Sequence, residues 1–511
     1  MMIYFACIVV KGTMLDICIL CLQLIIRRKQ FLLYLPGETR MIFLKRFFKV
    51  EEMGTTVTKE IYNGLTTFLA VSYILAVNPN ILSTTGMDRG AIFFATALAS
   101  FVGTLVMSLY ANFPLALAPA MGLNVFFAYS VVAVMGYSWQ IALFAVVIEG
   151  VVFFLLSTSS IREKIIDTIP LSLKYGMGAG IGLFITLIAF KNAHIIKANE
   201  VTLVTMQSFF GSEFHTAGIS AILALFGVIL STYLMHKKVM GALLIGILGT
   251  WGAGMICQVF GIYHVVPDAG YYSLFPNFNT DSLVKPFYSF CDLFGSAFDV
   301  ENWTCKSSTN SGWALLFSPN FLIVCFALLF SDFFDTVGTV NGALIDTPLM
   351  EKDGRIPRLK QLLIADSIAT LAGGVLGTST TTTFAESAVG VKAGARTGLA
   401  ALTIAFLFLI SIICAPIFLV IPGFATAPAL IIVGFLMIRS IAHVDWEDLT
   451  SSIPAYLLVT GIVFTYNISD GLGMGVISYA ILNCGKKGRV HWVMWLVSAL
   501  FVLKYICLGI K

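Results

Sequence analysis

Residues 377–397 read GTSTTTTFAESAVGVKAGART, and this stretch decides the fold. Thr380 to Thr383 are four consecutive β-branched residues, which favour extended backbone. Glu386 and Gly390 follow, so a single apolar segment is expected to change from extended to helical near its middle. A segment at 111–129, ANFPLALAPAMGLNVFFAY, carries Pro114, Pro119 and Gly122 within one apolar run. Proline removes a helical donor, so this segment is expected to be broken as well. Hydrocarbon cannot satisfy free N–H and C=O groups, so broken backbone at membrane depth must line a polar cavity or be buried in protein.

The rest of the chain supplies the membrane. Its 511 residues are 58% hydrophobic and 11% charged, whereas soluble domains run at roughly 45–50% and about 25%. The 31 basic and 27 acidic residues nearly cancel, so no charge field points to nucleic acid. At about 20 apolar residues per crossing, spans are expected near 64–82, 91–110, 113–131, 139–157, 174–190, 216–235 and 240–262. Seven more are expected at 319–340, 361–377, 379–392, 398–420, 424–440, 454–466 and 470–485. An all-α polytopic membrane protein of fourteen spans results, with short extended segments in spans 3 and 10. It divides into a lead (1–54), a seven-span set (55–262), an extracytoplasmic loop (263–318), a second set (319–485) and an apolar tail (486–511). Nineteen Lys and Arg fall in the inner segments against five outside, which puts both termini in the cytoplasm. Met41 opens a sensible amphipathic lead, and residues 1–40 are expected to be upstream translation.

The two broken segments are related by position. Gly122 in the third span and Glu386 in the tenth lie 264 residues apart (386 minus 122). An odd number of spans per set inverts one half relative to the other, the plan of many secondary transporters, with substrate held between paired broken helices.

Charges inside spans carry information because they are costly there. Glu386 is expected to be a direct ligand for a polar solute, the plain alternative being a cap on the half-helix that starts beside it. The eighth span reads FSDFFDTVGTVNG, with Asp332 and Asp335 near one helix face. Both are candidates for proton handling, and Asp335 also for substrate. Asn124 follows the third-span break and is assigned to the site with Gly122. Glu149 and Asp366 are read as structural pairs, and Gly176, Gly178, Gly180 and Gly182 as close helix packing. Ten cysteines include an isolated Cys18/Cys21 pair with no metal spacing. A disulfide between Cys291 and Cys305 is conceivable if their loop faces an oxidising compartment, and Asn302-Trp303-Thr304 is a sequon in a eukaryotic setting. No metal cluster, cofactor motif or nucleophile with a base is visible, so an enzyme is not expected.

With these residues in hand, the chain resembles the nucleobase-ascorbate (NCS2) transporter superfamily and, within it, the AzgA-like adenine, guanine and hypoxanthine permeases. The resemblance rests on GLTTFLAVSYILAVNPNIL, ALAPAMGLNVFFAYSVV, SDFFDTVGT, DGRIPRL, the 377–399 stretch and ATAPALIIVGFLM. It implies a seven-plus-seven inverted repeat with a core domain (spans 1–4 and 8–11) and a gate domain (5–7 and 12–14). It also implies a base bound by Phe384, Ala385 and Glu386, with Asp335 as the eighth-span acid and Asn124 as the third-span asparagine. Proton symport without a cofactor, a purine substrate, surrounding lipid and a homodimer complete what the family implies. Thr382 and Thr383 depart from the valine and tyrosine of many relatives, and the loop at 286–312 is longer than usual. The nearest rival reading is an anion transporter of the same architecture.

Overall fold

The computed structural model describes residues 45–158, 170–199, 202–209, 211–276, 281–306, 311–344, 347–350, 356–484 and 490–509. Residues 1–40, Met41 and the Cys18/Cys21 pair lie outside that set. Helices dominate. The first half carries α1 (Val57–Val71), α2 (Ile74–Leu82), α3 (Arg89–Val106), strand β1 (Leu117–Pro119), α4 (Met121–Val125), α5 (Trp139–Thr158) and α6 (Leu171–Asn192). A hairpin of β2 (Ile196–Asn199) and β3 (Leu203–Met206) follows, then α7 (Ile219–His236), α8 (Ala242–Val259) and α9 (Asp281–Leu293). The second half contains α10 (Pro319–Leu344), α11 (Leu359–Leu376), strand β4 (Thr381–Thr383), α12 (Ser387–Ala393), α13 (Gly398–Ser411) and α14 (Ala415–Phe418). It ends with α15 (Gly423–Ile438), α16 (Leu449–Thr465), α17 (Ile468–Leu482) and α18 (Trp492–Gly509). Among the described residues, nine helical stretches are long and apolar enough to cross a membrane.

Taken in order, the two halves repeat one another. β1 and β4 begin 264 residues apart (381 minus 117), the interval that separates Gly122 from Glu386. The interval is 252 between α6 and α15 (423 minus 171) but 230 between α7 and α16 (449 minus 219). The hairpin between α6 and α7 is therefore extra length in the first half. It sits in a connection, where added chain costs little.

Both expected breaks are present, and they meet. β1 and β4 pair antiparallel, with Leu117 opposite Thr383, Ala118 opposite Thr382 and Pro119 opposite Thr381. Ala120 N–H donates to the Thr380 carbonyl and Phe384 N–H to the Ala116 carbonyl, both at 2.9 Å. A two-stranded ribbon leaves its outer backbone groups open, and in a dry interior each must find a partner. Thr104 Oγ1 bonds both the N–H and the C=O of Leu117, at 3.0 and 3.1 Å. Asp366 accepts Thr383 N–H at 3.1 Å, and Thr370 donates to the Thr381 carbonyl at 3.1 Å.

The helices pack as two groups. α1, α3, α5, α11 and α13 pack on one another and around the β1–β4 ribbon, while α6, α7, α8, α15, α16 and α17 pack mainly among themselves. The expected glycine packing on α6 is found in the second group: a Cβ added at Gly182 would lie 2.7 Å from the Gly434 carbonyl of α15.

Two expectations change in the 263–318 segment. It is not a plain loop, because α9 lies within it and packs on α3, with Phe94 and Phe290 rings stacked at 6.2 Å. Cys291 is an exposed free thiol and Cys305 a buried one, so the conceivable disulfide between them is not formed. Cys305 instead donates to the Met135 carbonyl at 3.6 Å, and Lys306 N–H to the Gly136 carbonyl at 2.9 Å, seating this stretch on the end of span 3.

Candidate functional site

The polar run that predicts a broken span also supplies its own anchors. Nearly every side chain from Thr378 to Thr383 reaches a polar group on a different element. Asn78 donates to Thr378 at 2.9 Å, Ser379 donates to Asn124, and Thr380 donates to Glu149 at 2.6 Å. Thr382 and Thr383 both donate to Asp366 Oδ1, at 2.9 and 3.3 Å, and Thr336 donates to Asp366 Oδ2 at 2.8 Å. Asn78, Asn124, Glu149 and Asp366 thus fasten the stretch from Thr378 to Thr383 from four elements. Networks of this kind rigidify a core, and among the described residues Asn78 Oδ1 and Glu149 Oε1 are its atoms without a partner.

With the ribbon fixed, the half-helices begin on either side of it. α4 starts from the extended residue Ala120, and α12 starts from Glu386, with no side-chain cap bond at either start. The positive dipole ends of both half-helices are therefore turned to the space between them, with the first-turn N–H groups of α12 bonded to the Phe384, Ala385 and Glu386 carbonyls at 3.1, 3.0 and 3.0 Å. Glu386 stands at the cap position of α12 without capping it, so the plain alternative for this residue does not hold. Its Oε1 accepts instead from the Tyr73 hydroxyl at 2.7 Å.

That space is a cavity of about 720 Å³, within the range of roughly 300–1,000 Å³ typical of small-molecule sites. The side built around the ribbon contributes Tyr73, Gly122, Asp335, Phe384, Ala385 and Glu386 to its wall. The second contributes Met235, Ala242, Leu243, Val433, Leu436 and Met437. Lys238 and Lys392 stand on the same wall. The cavity is thus a seam between the two groups, mostly apolar, with two carboxylates and an aromatic face converging inside it.

The structure separates the residues expected at the site. Gly122, Asp335, Phe384, Ala385 and Glu386 line the cavity. Asn124 does not: it is fully buried, its Oδ1 taken by Ser379 and its Nδ2 donating to the Pro119 carbonyl at 3.4 Å, so it braces the ribbon from behind. Asp332 also leaves the site. It is buried among Thr336 and Thr370, whose hydroxyl oxygens lie 3.4 and 3.3 Å from its carboxylate, whereas Asp335 lines the cavity. A three-residue step turns a helix by about 60° from full register, enough here to put one acid in the cavity and the other in the wall. Glu149 and Asp366 have the structural pairings expected of them.

Tyr73 and Glu60 were not legible. Tyr73 sits where α1 meets α2, and neither charge nor a helix-breaking residue marks it. Glu60 is buried at the start of α1 and accepts from the Arg396 N–H at 2.8 Å and the Thr397 hydroxyl at 3.0 Å, tying the chain after α12 to the first span. A glutamate four residues into an apolar helix reads from sequence as a solvated first-turn acid.

Gly122 is a point of close approach between the groups. A Cβ there would collide with Cγ2 of Ile181 on α6. Overpacking costs about 1–3 kcal/mol, and here it falls on the seam between the two helix groups. Gly122→Val is expected to cut uptake about tenfold or more with normal membrane abundance, checked by initial-rate uptake against protein quantified in the membrane fraction.

Two helix groups around a central cavity, with broken helices meeting inside, define a multi-pass membrane transport protein. A family model described as a permease family, Xan_ur_permease, matches residues 58–473. The chain belongs to this family, the nucleobase-ascorbate (NCS2) transporters. It is 40% identical to the guanine/hypoxanthine permease PbuG of Bacillus subtilis, over 91% of this chain and 100% of the relative. It is 36% identical to the adenine permease AdeP of Escherichia coli, over 91% of this chain and 96% of the relative. Among solved structures it shares its fold with the transmembrane domain of a cyanobacterial bicarbonate transporter, BicA (TM-score 0.55, 15% identity, 82% of this chain and 97% of that one). Murine Slc26a9, an anion transporter in the inward-facing state, is similar at TM-score 0.51 and 11% identity, over 86% of this chain and 71% of that one.

Proposed function

We propose that this protein imports purine nucleobases, guanine and hypoxanthine first and adenine as a further candidate, by proton symport across the plasma membrane. In this reading fourteen spans form a seven-plus-seven inverted repeat. The helix group around the ribbon is the core, the other group is the gate, and movement of one past the other gives alternating access. The protein works in lipid as a homodimer with both termini in the cytoplasm, and it needs no cofactor beyond the coupling proton.

The observation that carries the reading is the convergence of Glu386, Phe384 and the free α4 N-terminus on one cavity. The edge of guanine or hypoxanthine offers N–H donors that a carboxylate accepts. Phe384 offers a ring face, and stacking a base on an aromatic is worth about 1–3 kcal/mol. First-turn N–H groups of α4 suit the carbonyl and ring-nitrogen acceptors of the base. Asp335, in the same cavity, is the group assigned to the proton. The relatives' names support the substrate class. Anion transport, the activity named for a fold neighbour, is disfavoured by two carboxylates at the centre of the cavity.

A neutral base entering with one proton moves one charge, and 100 mV then contributes about 2.3 kcal/mol, close to 50-fold accumulation. Tritiated hypoxanthine uptake is therefore expected to saturate, to be inhibited by unlabelled guanine but not uracil, and to lose its accumulation with a protonophore. Inhibition by bicarbonate and not by purines would refute the substrate class. Accumulation untouched by the protonophore would refute the coupling.

A further inference from the structure

We infer that Tyr73 is a positioning residue for substrate: its hydroxyl holds the Glu386 carboxylate in the orientation that meets the N–H edge of the base. The inference rests on Glu386 being the base ligand.

The geometry begins with the first span. α1 ends at Val71 and α2 begins at Ile74, with Ser72 and Tyr73 between them in right-handed helical backbone. At this junction Tyr73 lines the cavity wall. Its ring packs beside Phe384, centroids 6.4 Å apart and planes tilted by 55°, and its hydroxyl donates to Glu386 Oε1 at 2.7 Å. That distance is an ordinary O–H···O bond length.

A glutamate side chain has three rotatable bonds, and this carboxylate makes no cap bond to α12. With Oε1 taken by the hydroxyl, Oε2 remains to accept from a base in the cavity that Glu386 lines. Tyr73 thereby preserves the carboxylate for the substrate and saves the entropy of ordering it at each binding event. Two independent elements, the first span and the broken tenth span, must be in register for the bond to form, so the bond also reports that the core is correctly assembled.

The test is Tyr73→Phe in the full-length chain, which removes one oxygen and keeps the ring beside Phe384. A hydrogen bond to a charged group is worth about 1.5–3 kcal/mol, so KM for tritiated hypoxanthine is expected to rise about tenfold or more, with Vmax and membrane abundance near parental values. A structural defect would instead lower Vmax together with abundance. Equilibrium binding of the same ligand to purified protein provides a second reading. In a Glu386→Asp background, whose shorter side chain cannot meet the Tyr73 hydroxyl, adding Tyr73→Phe is expected to weaken binding by less than about twofold. An unchanged KM overturns the inference, as do loss of the variant from the membrane and a full additional loss of binding in the Glu386→Asp background. If Glu386→Ala itself leaves uptake intact, the substrate assignment fails. If it abolishes uptake while Tyr73→Phe keeps its KM, only the role of Tyr73 fails.

Discussion

Glu386→Ala is expected to reduce hypoxanthine and guanine uptake by more than about a hundredfold while the protein reaches the membrane in normal amount. The carboxylate is positioned to accept one or two N–H groups of the base, and each charge-assisted bond is worth about 1.5–3 kcal/mol. Two such bonds amount to about 3–6 kcal/mol, which sets the expected loss. Folding is expected to survive for a structural reason. Glu386 is not a member of the network under β4 and does not cap α12; its bond is to Tyr73 at the cavity wall, where water can take its place. Initial-rate uptake with immunodetection of the membrane fraction checks both halves of the statement, and uptake at the parental rate would remove the proposed site.

The opposite pattern is expected of Asp366→Ala. Asp366 is fully buried and accepts from Thr336, Thr382, and both the hydroxyl and the N–H of Thr383. Alanine would leave these donors together in a dry interior, and each unsatisfied group costs about 1–3 kcal/mol. A total loss on the order of 3–5 kcal/mol is comparable with breaking a buried charged network elsewhere, and it falls on a protein whose net stability is roughly 5–15 kcal/mol. The expected result is a sharp fall in membrane abundance and in the temperature at which the detergent-purified protein loses its monodisperse peak. Normal abundance with abolished uptake would instead make Asp366 a participant in transport rather than a brace.

These two acids show how far the sequence could be read. Glu386 and Asp366 are both carboxylates in apolar segments, and both are expected to be informative on cost alone. Glu386 follows a break in the backbone, which marks it as facing a cavity, and the cavity is there. Asp366 lies in an unbroken helix with nothing local to say which way it faces, and the structural reading assigned to it holds because Thr336, Thr382 and Thr383 happen to surround it. The same limit explains Asn124 and Asp332. Each lies within three residues of a cavity residue, but a helix turns about 100° per residue, so closeness in sequence does not decide which neighbour reaches the cavity.

The sequence by itself determined the membrane class, the helix-rich architecture, the two interrupted segments and the 264-residue relation between them. All of these follow from hydropathy, β-branching and proline, properties that act over a few residues. Only the tertiary structure decided that the interruptions pair as a ribbon, that Tyr73 reaches across to Glu386, and that Asn124 and Asp332 brace the wall instead of lining it. Such facts depend on which surfaces of separate helices come together, and residues such as Tyr73 and Glu386, 313 positions apart, meet only when the chain has closed around them.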